Sequence, residues 1–250
     1  MHYVGSGKWD TPQSHAILEA EKKQLAEVGS LNKLINQHWA FVAEVGAKGE
    51  KAREFFKSLN DPKAIKQISD NLKKDVSRAG LCMEILAQMP GNSACPVFVD
   101  IAMNSPNTAL AGQAIELLER TPESREFAFY YFLGIIQNEK SLPAAVDRAA
   151  NHLQGFADKR AIPSLINRLV TMVKRTFTKP QTNSISTNGN SSMSTGPEKF
   201  ETVDPYKHQS VLNVLVPLAE GANFQYDIPT WQKWYALTYA KTNLDLRRDE

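Results

Sequence analysis

Ala79-Gly80-Leu81-Cys82-Met83-Glu84-Ile85-Leu86-Ala87-Gln88-Met89-Pro90 and Ala111-Gly112-Gln113-Ala114-Ile115-Glu116-Leu117-Leu118-Glu119-Arg120-Thr121-Pro122 are one segment written twice, 32 residues apart. Five of their twelve positions are identical. A third version, Val146 to Leu153, sets Ala149 under Ala114 and Leu153 under Leu118 at an offset of 35. Shorter helices are predicted between the copies, over Ala94–Met103 and Glu123–Gln137. A small residue with Leu four positions later lets equivalent helices approach closely. A lone helical hairpin cannot bury both of its faces, so a period of 32 to 35 residues means stacked hairpins, an α-solenoid.

The stretch Asp147-Arg148-Ala149-Ala150-Asn151-His152-Leu153, followed by Asp158 and Ala161-Ile162-Pro163-Ser164-Leu165-Ile166, resembles the junction between two HEAT repeats. Asp158 is expected to cap the next helix, with Pro163 in its first turn or making the bend characteristic of the family. The resemblance covers about Asp61 to Val173 and is of a bacterial type. It implies a right-handed superhelix of HEAT-like hairpins whose curved surface binds partners, and it carries no catalytic residues.

The remaining segments are read from their punctuation. Thr11-Pro12 places a capping hydroxyl before a proline at the first helical position. Ile17, Leu18, Leu25 and Val28 follow at helical spacing, and Gly29 reads as a stop. Ser30 is expected to open a second helix with Leu31, Leu34, Ile35, His38, Trp39 and Val42, ending near Gly46. A third spans about Ala47 to Leu59, and Asn60-Asp61-Pro62 starts the next. The expected fold is all-α, divided as 1–60 (N-terminal helices), 61–173 (HEAT-like repeats), 174–206 (insertion) and 207–250 (C-terminal helical cap).

The insertion is compositional. From Thr178 to Pro197, 17 of 20 residues are Ser, Thr, Asn, Gly, Pro or Gln, which marks a polar loop. Its flanks, 173–178 and 199–203, alternate and carry aromatic and β-branched residues, so the segment reads as a β-ribbon with a flexible tip or as a wholly flexible loop. Near the C-terminus, Phe224, Trp231 and Trp234 suit a cap over the last open face, with an aromatic binding platform as the alternative.

Composition excludes more than it identifies. Two cysteines among 250 residues remove a disulfide scaffold and a four-cysteine metal site, and Cys82 and Cys95 read as buried free thiols. The five histidines have no short metal-ligand spacing, and no Gly-x-Ser-x-Gly elbow occurs. No catalytic group, metal or cofactor is expected. No apolar run is long enough to cross a membrane. With Met1 as the native start, no leader precedes the chain and the expected compartment is the cytoplasm.

Charge is uneven although the net value is only +2. Residues 141–180 hold seven cations against two carboxylates, a net +5, while 91–139 hold two against six, a net −4. Lys159, Arg168, Lys174 and Arg175 are the candidate anion or partner contacts. The expected function is a non-catalytic protein–protein interaction scaffold. The alternative is a nucleic-acid backbone binder using the basic patch, which needs those four cations on one exposed face.

Overall fold

The computed structural model describes residues 12–178 and 199–244, with side chains over 16–178 and 199–239. The described residues are mostly helical, with eleven α-helices and one two-stranded antiparallel sheet. They fall into two units, one ending at Ala128 and one beginning at Phe129.

The first unit opens with α1 (Pro12–Phe41), which runs straight through Gly29. The expected break into two helices is therefore wrong. A glycine inside a helix costs only about 1 kcal/mol relative to alanine, and Gly29 lacks the left-handed φ that a glycine stop adopts. The Ser30 hydroxyl, expected as a new cap, instead donates back to the Glu27 carbonyl at 2.8 Å. Thr11 lies outside the described residues.

The turn after α1 passes through Gly46 at φ 111°, a conformation that favours glycine. Arg53 closes this turn by donating to the Val42 and Glu44 carbonyls, both at 3.1 Å. It projects from α2 (Ala47–Ser58). Asp61 then caps as expected, accepting from the Lys63 amide at 2.9 Å, and α3 (Ile65–Lys74) follows. The repeat segments become α4 (Ala79–Ala87), α5 (Cys95–Asn104) and α6 (Thr108–Glu119). Helix α1 packs on α2 and α3, α3 on α4, α5 on α6, and α4 directly on α6. Ile35, Phe56, Ile68, Cys82, Ile85, Val99, Ala114 and Leu118 are buried here. Helix α7 (Pro122–Gln137) contains the boundary between the units.

In the second unit, α8 (Pro143–Leu153) leads to the Asp158 cap, whose carboxylate accepts from the Arg160 amide at 2.8 Å. Pro163 sits in the first turn of α9 (Ile162–Asn167), as the resemblance implies. Strands β1 (Val170–Thr178) and β2 (Lys199–Lys207) form the ribbon, with Val170 opposite Lys207 and Phe177 opposite Phe200. Pairing starts at Val170, earlier than the 174 read from composition. The polar tip, 179–198, lies outside the described residues. Pro205 is tolerated in β2 because both strands of a two-stranded sheet are edges. Helices α10 (Gln209–Leu218) and α11 (Ile228–Leu244) complete the unit. Helix α10 packs on α8 and α9, and α11 packs on α9. Trp231 is fully buried, with its ring edge-on to Phe224 and its Nε1 donating to the Gln225 carbonyl at 2.9 Å. It is a core residue, while Trp234 is only half-buried.

Candidate functional site

The repeated segment builds a cleft. Helices α4 and α6 are equivalent segments of successive copies, and two pairs of positions 32 apart, Glu84 with Glu116 and Gln88 with Arg120, line the same cleft. The result is an open cleft of about 570 Å³. Helix α4 contributes Gly80, Met83, Glu84, Ala87 and Gln88. Helix α6 and the residue after it contribute Gln113, Glu116, Leu117 and Arg120. Glu84 and Glu116 occupy the same position of the two copies and are both exposed. Neither they nor Arg120 makes an ion pair among the described residues.

The lining is mixed in polarity. Met83 is buried, Ala87 and Leu117 are half-buried, and Gly80 is open. A Cβ built on Gly80 meets nothing within 4 Å, and the same holds for Gly112, its repeat equivalent. Neither glycine has a left-handed φ, so neither turn geometry nor tight packing requires one there. Each costs its helix roughly 0.5–1 kcal/mol relative to alanine. Ala87, Leu117 and Arg120 also border a smaller pocket of about 70 Å³ that reaches Cys95 and Phe98. A separate cavity of about 270 Å³ lies among α3, α5 and α6, with the Lys73–Asp100 pair at 3.6 Å on its wall.

A second cluster joins residues far apart in sequence. His208 stands at the N-cap position of α10 without bonding it and is fully buried. Its Nδ1 lies 2.8 Å from Asp147 Oδ1 on α8, and its Nε2 lies 2.8 Å from the Thr171 hydroxyl on β1. The other Asp147 oxygen accepts from the Tyr206 hydroxyl of β2 at 2.7 Å. A carboxylate only accepts, so Nδ1 donates to Asp147, and Nε2 shares a hydrogen bond with the Thr171 hydroxyl. The Asp147 carboxylate holds the Tyr206 phenol above its ordinary pKa, first by this bond and then by its charge.

Hydroxyl, imidazole and carboxylate in that order have the connectivity of a hydrolytic triad. Here the imidazole has no exposed surface, so no leaving group can reach its proton. The arrangement is a pin that fastens both strands of the ribbon to α8.

The four sequence-predicted contacts differ in exposure and in partner. Lys159 pairs with Glu220 at 2.6 Å, which raises the lysine pKa and lowers that of the carboxyl. Arg168 is 8 % exposed and donates to the Ser141 carbonyl at 3.0 Å; burial pulls its pKa down. Lys174 and Arg175 are neighbours on β1 and point to opposite sides of the ribbon, with Arg175 3.8 Å from Asp204. The single exposed basic face required for backbone binding is not formed, because Arg168 is turned inward to complete a buried contact.

The thiols are buried and free as expected, and burial raises both; Cys82 is pushed up to about 12. Among the described residues no group of three His, Cys, Asp or Glu side chains could hold a metal ion. None of the described helices is long and apolar enough to cross a membrane.

Two features escaped sequence reasoning. Glu116 reads as part of a solvated face until Glu84 is set beside it. The recurrence of glycine at one helical position of two copies was the available signal. His208 and Asp147 carry no signal at all, being 61 positions apart. No family model, characterised protein or solved structure matches this chain, so the site is read from its own geometry.

Proposed function

We propose that this protein is a non-catalytic interaction scaffold, an α-solenoid of HEAT-like hairpins that receives a segment of a partner protein in the cleft between α4 and α6. One observation carries the reading: equivalent positions of two successive repeats line a single open cleft. Repeat stacking that leaves a continuous inner surface is how helical-repeat proteins present binding sites. The burial of Arg168 and the pairing of Lys159 with Glu220 weigh against the nucleic-acid alternative, and the inaccessible His208 weighs against hydrolysis.

A photo-crosslinking amino acid at Gln113, inside the cleft, tests the reading in extracts of the native host. A discrete protein adduct that is absent when the probe stands at Glu54, on exposed α2, is the expected result. Equal labelling from both positions counts against the cleft.

A further inference from the structure

Helix α1 is packed over only part of its length. Toward its C-terminal end Ile35 and Val42 are buried, and Glu27 pairs with Lys63 at 3.0 Å. Every residue over 16–27 is exposed. This stretch is not wholly polar, since Ile17, Leu18 and Leu25 are 60, 49 and 70 % exposed. At about 100° per residue, Ile17, Val28, Leu25 and Leu18 fall within a stripe about 100° wide, with Glu21 near its middle. Ile17 stands on the same line as Ile35, about five turns away. The apolar face that the fold buries at Ile35 and Val42 therefore runs on along the first half of the helix, uncovered by the described residues.

Charge indicates what covers it. Over 16–28 the helix carries Glu19, Glu21, Lys22, Lys23 and Glu27, a net −1. That sign, with a carboxylate in the middle of the stripe, does not suit an anionic membrane surface, which draws basic amphipathic helices. It suits a second copy of the same helix. Leu18 and Leu25 are equidistant from a point between Glu21 and Lys22. When two copies run antiparallel about a twofold axis through that point, Leu18 of each faces Leu25 of the other. The same axis sets Glu21 of each against Lys22 of the other, and a twofold contact makes each pair twice. Lys22 lies at the flank of the stripe, where its aliphatic stem covers the leucines as its ammonium crosses the seam. Within one chain it bonds only Glu19, at 2.9 Å with both side chains open to water, a weak pair that is readily exchanged. Two copies running parallel would instead set Glu21 against Glu21.

We propose that the first half of α1 is a homodimerisation element, which pairs antiparallel with α1 of a second copy through Ile17, Leu18 and Leu25 and through reciprocal Glu21–Lys22 contacts. The proposal does not depend on the cleft between α4 and α6. The seam is shorter than a standard interface, so the dimer is reversible, with a Kd of about 10–100 μM.

Sedimentation equilibrium of the full chain, loaded across that range, tests it. Leu18→Ser with Leu25→Ser abolishes the dimer. Circular dichroism shows the body of the fold retained, because neither leucine is packed. Leu142→Ser with Leu237→Ser, a change at two exposed leucines away from α1, leaves the dimer intact. Glu21→Lys alone and Lys22→Glu alone each weaken dimerisation about fivefold, the size expected when two surface charge pairs are lost. The two changes together restore it, because each cation again faces a carboxylate.

A monomer at every concentration overturns the proposal. A dimer that persists in Leu18→Ser with Leu25→Ser overturns it as well, since its interface then lies elsewhere. A dimer that needs the leucines but is indifferent to both single charge changes overturns the antiparallel seam.

Discussion

Asp147→Ala removes one acceptor from two donors that differ in their access to water. The Tyr206 hydroxyl is half-buried and can turn to solvent, so its loss is worth about 0.5–1.5 kcal/mol. The His208 Nδ1 proton cannot, because the ring has no exposed surface. An unsatisfied buried donor costs roughly 1–3 kcal/mol. Together these predict a destabilisation of about 2–4 kcal/mol. At about 2–4 °C per kcal/mol for a chain of this size, the melting temperature falls by roughly 10 °C. Asp147→Asn keeps one acceptor oxygen and serves one donor at a time, so its cost is about half.

Urea unfolding followed by circular dichroism gives the free energies. Amide hydrogen exchange over 170–173 and 204–207 reports whether the base of the ribbon loosens, since that is where the pin acts. Loss of exchange protection confined to these residues, with the order wild type, Asp147→Asn, Asp147→Ala, is expected. A change below about 0.5 kcal/mol for Asp147→Ala, the range of an ordinary surface substitution, refutes the pin.

Four further outcomes are expected. Cys82 and Cys95 stay unreactive toward a thiol reagent at pH 8 in the folded chain and react on unfolding. Between about pH 9 and 12 the unfolded Cys82 thiol ionises while the folded one stays protonated, so its contribution to stability is lost as pH rises; Cys82→Ala flattens that slope. Replacing 181–195 with a short Gly-Ser linker leaves the melting temperature within a few degrees, because its composition cannot bury a core. A large loss of stability would show that this segment packs. Polarisation with short duplex DNA detects no binding that responds to Lys174→Glu with Arg175→Glu; a steep, salt-sensitive loss would restore the backbone-binding alternative.

What the amino-acid sequence determined by itself is local. Asp61 and Asp158 cap helices where they were expected to, because a carboxylate two residues from an amide needs no distant partner to bond it. The repeat of Ala79–Pro90 in Ala111–Pro122 places two equivalent helices, and periodicity separates their buried positions from their exposed ones. Gly29 is the local failure: its weak preference against helix lost to the favourable residues around it.

Tertiary structure decided everything that joins distant residues. Only there does Arg168, one of several similar cations in the sequence, turn inward to the Ser141 carbonyl while Lys174 stays in water. Only there do Asp147 and His208 meet, and only there do Glu84 and Glu116 line one cleft. The physical reason is shared by all three. Hydrogen bonds and burial act within a few ångströms, and the separation of two side chains in space is set by the packing of whole helices rather than by spacing along the chain.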